Sequence, residues 1–151
     1  MASERIRAVA GRVADTVATL VDTNVLLDIF TEDPKWADWS GEALAVARDA
    51  GLLVINPLVY AEVSVRFARV EELDDALPAT DFLREELPYP AGFLAGKAYA
   101  RYRAQGGNKR SPIADFYIGA HAAVCRYRLL TRDSSRYRTY FPRLTLIAPE
   151  A

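Results

Sequence analysis

The sequence predicts an α/β fold with a mainly parallel central sheet flanked by helices. Two patterns carry that expectation. Short apolar runs of strand length alternate with longer helical segments. Two helix starts also bear a polar cap followed by proline, at Asn56-Pro57 and Ser111-Pro112. A chain of 151 residues is of the size that makes one domain with a proper core.

Residues 1–17 are weakly patterned and are set apart as an N-terminal extension, read as a frayed or disordered segment or as the product of a mis-assigned start. The compact pattern occupies residues 18–151. ATLVD is a short β-branched run, a buried strand ending at Asp22. TNVLLDIF follows with Val25, Leu26, Ile29 and Phe30 on a helical period, and Asp33-Pro34 breaks it. Trp36, Trp39, Ala43, Leu44 and Ala47 form the stripe of a second amphipathic helix, stopped at Gly51. Leu52 to Ile55 is the second strand. Asn56 and Pro57 open a helix expected to reach about Val70, and residues 71–77 and 79–87 read as acidic helical pieces closed by Pro88 and Pro90. Residues 91–107 form a helix ending at Gly106-Gly107, and Ser111-Pro112 opens the next, IADFYIGAHAAVCRY. RLLT is a core strand, SSRYRTYF a short helix or turn, and LTLIA the last strand. No internal repeat or low-complexity segment interrupts the series.

Composition excludes several classes. No apolar run approaches the roughly 18 residues of a membrane span, and the N-terminus lacks the apolar core of a secretory signal, so a cytoplasmic location is expected and no membrane partner. Cys125 is the only cysteine, which rules out an internal disulfide and a multi-thiolate zinc site; it is expected to pack in the core. Charge is unevenly placed. Up to Ala95 acids outnumber bases about two to one. Beyond it the only acids are Asp115, Asp133 and Glu150, among many arginines. An anionic partner for the basic half fits that asymmetry, as do plain solvated helix faces.

Four acids stand at the edges of apolar segments: Asp22, Glu62, Asp115 and Asp133. A charge is expensive to desolvate there and is normally avoided. In a parallel sheet, sites form beyond the carboxyl ends of the strands. Asp22 ends the first strand and Asp133 closely follows RLLT, while Glu62 and Asp115 lie in early turns of the two proline-opened helices. At about 100° per residue Glu62 shares a face with Leu58, Val59 and Val65, which are expected to contact the core. With no Lys or Arg expected among them, clustered carboxylates repel one another, and a divalent cation relieves that repulsion. Mg²⁺ or Mn²⁺ favours oxygen ligands and can activate water against a phosphodiester. The sequence has no P-loop, Rossmann glycine fingerprint, HExxH or G-x-S-x-G elbow to suggest another chemistry.

DTNVLLD after a strand, Glu62 in a proline-opened helix, PIADFYIGAHA, and LLTRD before a last strand together resemble the PIN domain family, and more narrowly its VapC-type toxins. The resemblance runs from about Ala18 to the C-terminus. It implies a PIN-like fold and a Mg²⁺-dependent endoribonuclease, Mn²⁺ substituting, with Asp22, Glu62, Asp115 and Asp133 as catalytic and metal-holding residues. It also implies an antitoxin that covers the site, and a homodimer. By the same match Asn24 and Thr131 would orient the acids or their metal-bound waters.

Other residues are read more modestly. Lys109, Arg110 and Arg132 are candidates to hold RNA phosphates, or solvated charges. Tyr137, Tyr140 and Phe141 are expected to pack, with base stacking as the alternative. Trp36 and Trp39 belong to an antitoxin groove or to the core. His121 lies six residues after Asp115, about 240° around the helix, and is expected to be a packed, hydrogen-bonded histidine. Three functions follow: a toxin ribonuclease, a housekeeping PIN nuclease of RNA maturation without antitoxin, or a catalytically inactive RNA-binding module. Four intact carboxylates argue against the third.

Overall fold

The computed structural model of the protein describes residues 17–107 and 113–150. Five strands, β1 (Thr19–Val21), β2 (Leu53–Ile55), β3 (Phe82–Arg84), β4 (Arg128–Leu130) and β5 (Leu146–Ile147), form one sheet in the order β3-β2-β1-β4-β5, with every pairing parallel. The described helices are α1 (Thr23–Phe30), α2 (Ala37–Ala50), α3 (Pro57–Ser64), α4 (Val70–Ala76), α5 (Tyr89–Ala104), α6 (Ile113–Cys125) and α7 (Ser135–Tyr140). None is long and apolar enough to cross a membrane. The α/β class and parallel sheet expected from the alternation are therefore present. The extension up to residue 16, Lys109, Arg110 and the Ser111-Pro112 helix opening lie outside the described residues.

Central strands are buried on both faces, which is why they read as continuous apolar runs. All three residues of β1 and of β2 are buried. The chain steps outward from β1 to β2 and β3, then returns to place β4 on the other side of β1. The crevice between the carboxyl ends of β1 and β4 is thus the point where the strand order reverses, the preferred place for a site in this architecture. Asn56 caps α3 as its sequence signature predicts, with its Oδ1 accepting from the Val59 N–H at 3.0 Å.

Four local expectations are corrected. Residues 82–84 are not helical but form the edge strand β3, in register with β2 (Leu53↔Phe82, Ile55↔Arg84). Pairing to a distant strand overrides the helical propensity of that acidic stretch. Pro88 and Pro90 do not close a helix; Pro88 is the N-cap of α5 and Pro90 lies in its first turn. The helix from Pro57 stops at Ser64, whose hydroxyl donates to the Ala61 carbonyl. Val65 consequently falls off the apolar face and is 82% exposed, although Val59 is fully buried as expected.

Two glycines set close approaches that position the site. Gly51 ends α2 where a Cβ would stand 2.0 Å from the Val17 carbonyl oxygen, at the entry to β1. Gly119, in the middle of α6, lets the rings of Phe141 and Tyr137 lie where a Cβ would be 2.7 and 2.9 Å from their nearest carbons. Gly119→Ala is expected to cost about 1–3 kcal/mol of stability by overpacking. A fall in the urea midpoint at unchanged slope would check it; an unchanged midpoint would show that α7 yields freely.

Candidate active site

β1 ends by delivering Asp22 into the crevice. Its N–H donates to the Leu130 carbonyl at 2.9 Å, which ties it to β4. Its side chain caps α1, Oδ1 accepting from the Thr23 N–H at 2.8 Å. Oδ2 accepts from the Thr131 hydroxyl at 2.9 Å and the Tyr137 hydroxyl at 3.0 Å, with Asn24 Nδ2 at 3.5 Å. Thr131 is fully buried and also accepts from the Asp133 N–H at 3.1 Å. Asn24 Oδ1 accepts from the Arg132 N–H at 3.1 Å, which holds the loop after β4 against the start of α1.

Glu62, half-buried on α3, accepts from the Thr23 hydroxyl at 3.1 Å. Asp115 sits in the first turn of α6 and Asp133 in the loop after β4. All four acids line one cavity of about 180 Å³, together with Thr23, Asn24, Leu27, Arg136 and Tyr137.

Electrostatics record the crowding. Burial pushes the Asp22 carboxyl up from 3.8 to about 6, opposed by the hydrogen bonds from Thr131 and Tyr137 and aided by the charge of Asp115. Glu62 is raised by burial and, more weakly, by Asp115. Asp115 is raised by burial and by Asp133 and drawn down by Arg136. Asp115 is the hub of this mutual repulsion. The donors in the cavity are all oxygen, the set that a hard divalent cation such as Mg²⁺ or Mn²⁺ takes.

Several partners differ from the sequence expectation. The quartet is not uncompensated: Arg136 Nη1 donates to Asp115 Oδ2 at 2.7 Å while its guanidinium lies over the rings of Tyr102 and Phe116. Arg132 has its guanidinium forked onto the buried Asp28, at 2.8 and 3.0 Å, and packs over Trp36. It is engaged within the fold, with about a third of its side chain exposed (32%). Tyr137 is buried, as a packing residue should be, yet its hydroxyl donates to Asp22 Oδ2. Trp39 packs partly against the core. Thr23, Asp28, Arg136 and the hydroxyl role of Tyr137 escaped the sequence reading; only the spacing of Asp28 within DTNVLLD hinted at any of them.

A second group of ligand-type side chains lies apart from this cavity. Glu85, His121 and the partly exposed Cys125 each bring a donor atom within 4.8 Å of the others. Asn56 commits its Oδ1 to Val59, so its Nδ2 faces His121 Nδ1 at 3.0 Å and that nitrogen must accept. The ring proton is then on Nε2, donated to Glu85 Oε1 at 3.2 Å, which leaves Nε2 no lone pair for a metal. Tyr127 donates to Glu85 as well. His121 is the packed, hydrogen-bonded residue that its helix position predicts.

A parallel sheet with a carboxylate-lined crevice at its order reversal defines an α/β protein with its candidate site at the strand ends. Residues 19–142 match the PIN domain model, and the chain belongs to the PIN domain family. No curated protein matches the sequence. Among solved structures it is similar to VapBC2 from Rickettsia felis bound to a DNA fragment from their promoter, at 17% identity and a TM-score of 0.67, over 87% of this chain and 98% of that one. VapBC-1 from nontypeable Haemophilus influenzae gives 18% and 0.66, and a toxin-antitoxin complex from Klebsiella pneumoniae 20% and 0.65, with the same coverage. At such identities the likeness establishes the fold.

The raised carboxyl of Asp22 has a signed consequence. Between about pH 4 and pH 6 the metal-free folded state keeps a proton that the unfolded chain releases, so this group's contribution to stability falls as pH rises through that window. Asp22→Asn removes the titration. In EDTA its stability relative to wild type should improve from pH 4 to pH 7 by up to about 3 kcal/mol, and Mg²⁺ should narrow the gap. Thermal melts across that range check it, and a pH-independent difference would mean that Asp22 is not held against its charge.

Proposed function

We propose that the protein is a divalent-metal-dependent endoribonuclease and the toxin of a toxin–antitoxin pair. The observation that carries the reading is the single cavity lined by Asp22, Glu62, Asp115 and Asp133 in a PIN-domain chain. These four would hold Mg²⁺ or Mn²⁺, which when bound supplies an activated water and offsets charge on the phosphodiester.

The chain's own groups supply orientation. Thr131, Tyr137 and Thr23 fix both oxygens of Asp22, so the carboxylate has little freedom to rotate. Thr23 also fixes Glu62, linking two of the four acids through one residue. Arg136 neutralises Asp115 and stands at the cavity wall, where it would meet a substrate phosphate. Asp22→Asn and Asp115→Asn are expected to lower RNA cleavage at least about 100-fold, as loss of a metal-supporting carboxylate does, with the fold intact by circular dichroism. Full activity in excess EDTA would refute metal dependence.

The toxin assignment is supported by the solved structures of similar fold, which are complexes named VapBC or toxin–antitoxin. An acidic cavity that accepts a metal also accepts a guanidinium, forked onto two carboxylates. A small protein encoded beside this one should therefore bind tightly, insert an Arg or Lys, and stop cleavage. Its association should slow steeply with added salt. A homodimer would present two such sites. Co-expression, pull-down and RNase assay of the complex test the assignment. If no neighbouring product binds, or binding leaves cleavage untouched, a housekeeping PIN nuclease takes the toxin's place.

A further inference from the structure

Helix α5 carries a stripe of side chains that the fold leaves uncovered. The helix packs against α6 and buries Ala91, Ala95 and Ala98. At four-residue steps it bears Tyr89, Phe93, Lys97 and Arg101, with Gln105 at its C-cap. Each step turns about 40° round the axis, so neighbours adjoin and the stripe winds from the outer side at Tyr89 toward the body of the protein at Gln105. All five are exposed, Tyr89 at 94% and Phe93 at 72%. Adjacent open rings rimmed by polar groups mark an interaction site.

The cations of this stripe are held by rings and not by acids. Lys97 Nζ lies 5.1 Å from the centre of the Phe93 ring, and Arg101 Cζ 5.6 Å from that of Tyr140. Among the described residues neither pairs with a carboxylate. In the acid-rich half, by contrast, Arg48, Arg69 and Arg84 pair with Asp81, Glu71 and Asp74. A ring orients a cation without cancelling its charge, which leaves the donors open to a phosphate. The stripe also reaches the acidic cavity. Tyr140, whose hydroxyl donates to Gln105 Oε1 at 2.8 Å, packs on Tyr102 and Phe116 at ring separations of 5.8 and 5.6 Å. Those two rings carry Arg136, which lines the cavity.

We propose that this stripe is a track for single-stranded RNA leading away from the acidic cavity, a choice of polymer that rests on the ribonuclease reading. Unpaired bases stack on Phe93 and Tyr89, and the phosphates between them and the cavity meet Lys97 and Arg101. From Tyr89 to Arg101 the helix advances roughly 18 Å, room for more than one nucleotide. A duplex fits poorly, because its bases are stacked inside and closed to the two rings. A protein partner fits poorly too, since covering the rings would bury two cations without an acid on this chain to answer them.

The test measures binding apart from cleavage. The full chain carrying Asp22→Asn, in EDTA, is titrated into a short fluorescent single-stranded RNA, and anisotropy is followed at several salt concentrations. Adding Phe93→Ala is expected to weaken binding about 5-fold or more and to leave the salt dependence unchanged. Lys97→Gln and Arg101→Gln should each weaken it and lower the slope of log affinity against log salt by about 0.7. A duplex of the same sequence should bind Phe93→Ala no worse than the parent. All three side chains are exposed, so the fold survives their replacement. Unchanged affinity and salt slope in all three variants overturns the track and leaves the nuclease reading standing. RNA binding that depends on the stripe in a wild type that cleaves no RNA with Mg²⁺ does the reverse. A wild-type dimer in sedimentation that Phe93→Ala converts to monomer, with RNA binding retained, assigns the stripe to a second copy and overturns the proposal.

Discussion

The buried carboxylate of Asp22 is the constraint on which the rest of the site depends. It ends the central strand, where both faces of the sheet are covered and water is excluded. A charge in that position is tolerated only if donors replace its hydration. The donors come from three places: the start of α1 through the Thr23 N–H, the end of β4 through Thr131, and α7 through Tyr137. Desolvation still outweighs them, which is why the carboxyl is raised rather than lowered. The residual penalty is one that a positive charge placed beside Asp22 would offset.

Two arginines of different role sit only four residues apart in sequence. Arg132 is forked onto Asp28, whose Oδ2 also accepts from Ser40, and is backed by Trp36. Bidentate geometry with a buried partner makes it a fixed strut joining the loop after β4 to α1 and α2. Arg136 Nη1 donates to Asp115 Oδ2 at the wall of the cavity. Its guanidinium also lies over the rings of Tyr102 and Phe116, an aromatic bed that keeps it beside the cavity. The first arginine holds the frame, and the second lines the acidic cavity.

How much was legible in the sequence follows the range of the interactions. The strands, the Asn56 cap and the edge positions of the four acids are local patterns, readable from periodicity and cap chemistry. Arg136 and the hydroxyl of Tyr137 acquire their roles from partners 21 and 115 residues away, and nothing local marks them, while Asp28 is marked only by its place in DTNVLLD. Tyr137 read as a packing residue because its ring is one; only the fold shows where its hydroxyl ends. The strand β3 was missed for the same reason. Its three residues sit in an acidic, helix-favouring stretch, and the bonds that make them a strand belong to β2.

The distances in sequence also bear on when the site comes into being. Thr131 and Tyr137 reach Asp22 across 109 and 115 residues, and Arg132 reaches Asp28 across 104. Closing loops of that length costs entropy before the contacts return anything. β1 with α1, and β2 with α3, can assemble from the first half of the chain, but that half leaves Asp22 without two of its donors and Asp28 without its arginine. An unpaired carboxylate at the end of β1 disfavours burying that strand, so the N-terminal half has little reason to close alone. Docking of β4 and α7 supplies the donors and completes the sheet in one step. The same hydrogen bonds that arm the cavity therefore make the fold cooperative, and a partly folded chain carries no assembled acidic site.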